Sequence, residues 1–146
     1  MNMIEIPYKK LDESVEDALC AHEGDAGLDL RSSIDCVLQP FQRMTIPTGL
    51  AFAIPEGYAG LVIPRSGLAS KHGISIVNAP GLVDSGYRGE IKVILINLDP
   101  NEPFEISKGD RIAQIMFAPY AMGKLDKRES LDETERGESG FGSSGK

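Results

Sequence analysis

The chain has 146 residues, a formal net charge of −7, 16 glycines, 9 prolines, 2 cysteines and no tryptophan. That length suits one domain burying roughly two thirds of its unfolded surface, and the acidic balance argues against general nucleic-acid binding, since nothing offsets repulsion from a phosphate backbone. Cys20 and Cys36 are too few for a disulfide framework and lack C-x-x-C spacing; with neither a charged-then-apolar leader nor an apolar run of about eighteen residues, a cytoplasmic protein without membrane contact is expected.

Short strands are expected at residues 4–8, 43–46, 50–54, 60–63, 74–77, 91–98, 104–106 and 111–119, the strongest being the β-branched run IKVILINL at 91–98. Turn signals separate them: Ile46-Pro47-Thr48-Gly49, Pro55-Glu56-Gly57, Ala79-Pro80-Gly81, Asp99-Pro100-Asn101 and Lys108-Gly109-Asp110. A short helix is expected at 14–21, capped by Ser14, and another helical turn at 68–72. Strands at this spacing without alternating helices predict an all-β sandwich or jelly roll. From Gly123 onward apolar residues thin out, which divides the chain into a β domain at 1–122 and a flexible C-terminal arm at 123–146.

Candidate chemistry is spread over five stretches. Asp29 stands between Leu28 and Leu30, so on a strand it faces away from both; there it orients another side chain, holds metal-bound water or is merely solvated. Arg65-Ser66-Gly67 follows Pro64 and supplies a charge, a hydroxyl and an unobstructed backbone for an anion, although the same three residues also describe an exposed turn. Asp84, beyond the apolar pair Leu82 and Val83, is a candidate general base, and Tyr87 offers a ring for a sugar face or for the core. Alternation from Ile112 places Gln114 on the inward face, partly buried and in need of partners. The last stretch, RGESGFGSSG at 136–145, cannot build a core, yet Arg136, the serines and Phe141 suit a lid over an anion and a base. Its literal G-x-G-x-x-G lacks the strand and helix that a dinucleotide site needs. His22 and His72 have no metal-ligand spacing, and neither a Walker A nor a G-x-S-x-G motif is present.

In order, AGLDL at 26–30, PRSGLA at 64–69, GLVDSGYRGE at 81–90, KGDRIAQ at 108–114 and RGESGFGSSG at 136–145 resemble the five motifs of the trimeric dUTPases. The resemblance implies a jelly-roll domain of the β-clip type, assembled as a homotrimer with shared active sites. It implies hydrolysis of dUTP to dUMP and pyrophosphate with Mg2+, which limits uracil in DNA and supplies dUMP for dTMP synthesis. It casts Asp84 as the base for water attack on the α-phosphate, Arg65, Ser66 and Gln114 as triphosphate contacts, and Gly67 as shaping their turn. Asn78 is similar to the uracil reader, Leu82 and Val83 to the hairpin lining, Tyr87 to the wall against a 2′-hydroxyl, and Lys92 to a main-chain contact. Arg136, Phe141, Gly142, Ser143 and Ser144 match the arm that stacks on uracil and binds phosphate. Asp29 matches an acid near metal-bound water, the Mg2+ itself being held by substrate phosphates and water with no direct protein ligand. The chain carries Gly86 where many members of the family have an acid, a change that bears on the turn and on trimer contacts. A dCTP deaminase or bifunctional relative shares the fold in the superfamily, and a nucleotide-sensing regulatory protein is the alternative outside catalysis.

Overall fold

The computed structural model describes residues 3–145. In chain order the strands are β1 (Tyr8–Lys10), β2 (Leu28–Arg31), β3 (Cys36–Leu38), β4 (Arg43–Phe52) and β5 (Tyr58–Ile63). The helix α1 (Ser66–His72) follows, then β6 (Ile74–Ile76), β7 (Gly81–Val83), β8 (Glu90–Asn97), β9 (Phe104–Ile106) and β10 (Arg111–Pro119). Two antiparallel four-stranded sheets, ordered β1-β4-β8-β6 and β2-β10-β5-β7, form the jelly-roll domain, and β3 pairs with β9 in a separate ladder. The core between them draws on both sheets: Ile46, Leu50, Ile91, Val93 and Leu95 from one, Leu30, Val62, Ala113 and Ile115 from the other.

Period-two burial explains the layering. Along β8 the inward residues are Ile91, Val93, Leu95 and Asn97, each buried. Asn97 is the polar end of that series and satisfies itself on the backbone: its amide donates to the Leu38 and Glu102 carbonyls at 3.0 and 2.9 Å, and its Oδ1 accepts from Asp99 N–H. One asparagine thus ties β8 to β3 and to the approach to β9.

Several expectations are corrected. Residues 46–49 do not turn the chain; β4 runs through them with a register shift against β8 between Pro47 and Ala51. Side chains take up the backbone groups that this bulge frees. Thr48 Oγ1 donates to the Ile91 carbonyl at 2.6 Å, and Gly49, at φ 72, gives its N–H to Glu90 Oε2 at 3.0 Å. Glu90 is therefore a strand anchor. The helix expected at 14–21 is absent; the Asp12 carboxylate accepts from both the N–H and the hydroxyl of Ser14, closing a local turn instead. The chain then runs beside β2, where Leu19 C=O accepts from Asp29 N–H at 2.9 Å. The first strand lies at Tyr8–Lys10 rather than 4–8, registered against Phe52 to Leu50, and the short β3 and β7 were not foreseen.

Candidate functional site

The sequence-predicted anion residues meet on the outer face of the β2-β10-β5-β7 sheet. Asp29 of β2, Gln114 of β10 and Ile63 of β5 share one rung, since Gln114 is registered against both of the others. Gln114 was expected on the inward face with Ile112. A register irregularity between Arg111 and Ala113 inserts Ile112 as an extra residue, so Ala113 and Ile115 point inward and Gln114 outward. Its Nε2 donates to the Pro64 carbonyl at 3.1 Å, which ties β10 to the start of the Arg65 loop.

Around that rung lies a groove of about 370 Å³ lined by Gly27, Asp29, Arg65, Ser66, Arg111 and Gln114 among others. Asp29 sits between two guanidinium groups, with Arg111 Nη1 at 3.3 Å and Arg65 Nε at 3.9 Å. Arg65 Nη1 also donates to the Arg111 carbonyl at 2.9 Å. The carboxylate therefore holds both arginines beside the groove, where an anion can bridge them. Ser66 and Gly67 belong to α1 rather than to a turn, and the space a Cβ would take at Gly67 is open. Gly27 does have a structural reason: a Cβ there would stand 2.6 Å from Gln114 Oε1.

A second cavity, of about 220 Å³, lies at the β7–β8 hairpin and is lined by Leu82, Val83, Asp84, Tyr87, Glu90, Ile91 and Lys92. Asp84 and Tyr87 close the turn, with Tyr87 N–H donating to the Asp84 carbonyl at 3.1 Å. The Tyr87 hydroxyl donates to the Glu90 carbonyl at 2.9 Å, which holds the ring against the hairpin. Lys92 is an exposed residue of β8. Asn78 is not among the residues lining this cavity; it lies exposed ahead of β7, with its Nδ2 3.4 Å from the place a Cβ would occupy on Gly81. A Cβ at Gly86, on the same turn, would meet nothing within 4 Å.

The two cavities have no lining residue in common. The arm joins neither. From Pro119 to Ser144 every residue is exposed except the half-buried Gly140, and Phe141 shows its whole ring to solvent at 115 % relative exposure. Its contacts are local: Arg136 Nε donates to the Ser139 carbonyl at 2.9 Å, and Ser143 N–H donates to that of Gly140. Ser144 and Gly142 lie in the same string of turns.

Among the described residues no cluster of three or more His, Cys, Asp or Glu side chains is arranged to hold a metal ion. Asp29 is the groove's central carboxylate and is already shared by two arginines. That donor set fits an ion carried in on phosphate oxygens and water, the usual habit of Mg2+, better than a protein-built cage.

A family model described as dUTPase matches residues 13–145. The chain belongs to the dUTPase family. Among curated relatives, the deoxyuridine 5′-triphosphate nucleotidohydrolase of Nocardia farcinica is 52% identical over 140 residues, covering 96% of this chain and 85% of the relative. That of Corynebacterium glutamicum is 50% identical over 141 residues, covering 97% and 95%. A mutant dUTPase of Staphylococcus bacteriophage 80alpha, solved with dUpNHpp, superposes at a TM-score of 0.90 with 32% identity, covering 98% of this chain and 99% of that one. A phage phi11 dUTPase mutant, described with a structural Mg(II) ion, gives 0.80 with 27% identity over 88% and 99%. In this dUTPase-family chain, two features of the groove escaped the sequence motifs: Arg111 as the second guanidinium on Asp29, and the close approach at Gly27. An arginine three residues before Gln114 is the only hint of the first.

Proposed function

We propose that the chain hydrolyses dUTP to dUMP and pyrophosphate, with Asp84 as the base. The observation carrying this reading is the convergence of residues 26–29, 65–67 and 111–114, remote in sequence, on one groove beside two arginines. The dUTP nucleotidohydrolase names of relatives at about half identity support the substrate. In the reaction, a water oxygen bonds to the α-phosphorus as its bond to the bridging α–β oxygen breaks. Asp84 takes the water's proton, and pyrophosphate leaves. Arg65, Ser66 and Gln114 bind and orient the triphosphate, so that catalysis rests on positioning and charge stabilisation. Mg2+, when bound, neutralises phosphate charge as the reaction proceeds. Asp29 keeps the arginines in place and would help to hold the ion through its water.

The hairpin takes the deoxyuridine: the β7 backbone reads the base from the cavity and Asn78 from outside its lining, just ahead of β7, while Leu82, Val83 and Lys92 flank it and Tyr87 stands where a 2′-hydroxyl would go. Separate cavities and an unpacked arm support a homotrimer in which groove, hairpin and arm come from different copies. On this reading residues 123–146 are a distinct arm whose Arg136, Gly142, Ser143 and Ser144 wrap phosphate while Phe141 stacks on uracil, excluding bulk water. A deaminase reading would need an acid beside the pyrimidine. Glu90, the glutamate lining the cavity, instead accepts from Gly49 N–H, which favours the diphosphatase.

The test is pyrophosphate release from dUTP, dTTP, dCTP and UTP, with and without Mg2+. Selective, Mg2+-stimulated release from dUTP is expected. Equal rates across the four, or ammonia release from dCTP, would refute the assignment.

A further inference from the structure

Gly89 has no backbone reason to be glycine. Its φ lies outside the left-handed region, where an L side chain would be strained. What an added side chain would meet is the Tyr87 ring: an ideal Cβ at 89 would stand 2.6 Å from Cζ and 2.8 Å from Cε1. Both distances are well inside van der Waals contact. The ring therefore occupies the volume that a side chain at 89 would fill. Its far end is fixed by the hydroxyl donating to the Glu90 carbonyl at 2.9 Å, and Glu90 is itself anchored by Gly49 N–H. The contrast lies three residues away on the same hairpin, where a Cβ at Gly86 would meet nothing within 4 Å.

We propose that Gly89 is a specificity-determining position: its missing side chain seats the Tyr87 ring in the hairpin cavity and thereby sets discrimination against ribonucleotides. The inference rests on the sugar-facing role of Tyr87 stated above and adds the residue that positions it. The atoms displaced by an alanine are the outer end of one side chain rather than backbone, so the ring swings out and the fold survives. Because Tyr87 acts by filling space, a shifted ring leaves room for a 2′-hydroxyl without removing any group that touches phosphate.

The experiment compares the unaltered chain with Gly89→Ala and Gly86→Ala. The readouts are kcat/KM for dUTP and UTP, the binding ratio of the two nucleotides in Mg2+-free buffer, and the thermal midpoint. Gly89→Ala is expected to lower the dUTP-to-UTP ratio by about tenfold or more, the discrimination one well-placed steric contact supplies. Gly86→Ala should keep the ratio, and both variants should stay folded. An unchanged ratio in Gly89→Ala, or an equal fall in Gly86→Ala, would overturn the inference. Failure of the unaltered chain to turn over dUTP would count against the proposed function instead, while the binding ratio would still report on Gly89.

Discussion

At the scale of single residues, the base proposed above makes a two-part prediction. Asp84→Asn keeps the shape of the hairpin and removes the proton acceptor, so dUTP affinity should be retained while kcat falls by about 10²–10⁴. Isothermal titration beside steady-state rates checks both halves; an unchanged kcat would remove Asp84 from its role. Asp12 gives a stability test. Hydrogen bonds from Ser14, then from Lys108, lower its pKa from the ordinary 3.8 to about 2. A carboxyl whose folded pKa is depressed stabilises the fold when ionised in both states, and that contribution fades as pH falls from about 4 to about 2. Asp12→Asn should therefore lower the urea midpoint near neutrality, and the gap to the unaltered chain should close through that acid window. A gap that stays constant to pH 2 would contradict the pairing. Residue identities were legible where alternation held: Asp29 does face away from Leu30. They were not where a bulge intervened, because one inserted residue reverses every side chain beyond it, as Gln114 shows.

At the scale of elements, strands were legible where β-branched runs were long, as in β8 and β10, and failed where a neighbour decided the outcome. The P-T-G within β4 has the local chemistry of a turn. It remains a strand because Thr48 and Glu90 satisfy the backbone groups that the bulge exposes. The three-residue β7 carries no periodicity of its own and exists by pairing with β5 at Gly60, Leu61 and Val62. Residues 123–145 are the opposite case: glycine and serine supply no core, and all of these residues but Gly140 are exposed. Deleting residues 136–146 should leave the denaturation midpoint unchanged, since residues 136–139 and 141–145 are exposed, while dUTP turnover drops by about a hundredfold through lost positioning and water exclusion. Wild-type turnover in the truncated chain would make the arm dispensable.

At the scale of the whole molecule, the groove and the hairpin cavity share no lining residue, and the proposed function assigns phosphate to the first and nucleoside to the second. No subunit interface is legible in one sequence, because contact surface between copies differs little in composition from solvent-facing surface. In a three-fold ring each heterologous contact repeats and closes, so three copies give three identical composite sites. Sedimentation should give a trimer at micromolar concentration. The most direct test is complementation: Asp84→Asn chains and chains lacking residues 136–146, each strongly impaired alone, are unfolded together and refolded as mixed trimers. If arm and hairpin come from different copies, equal random mixing restores dUTP hydrolysis in about a quarter of the sites. No recovery from a properly mixed trimer would mean that each arm closes over its own hairpin, and the shared site would be contradicted.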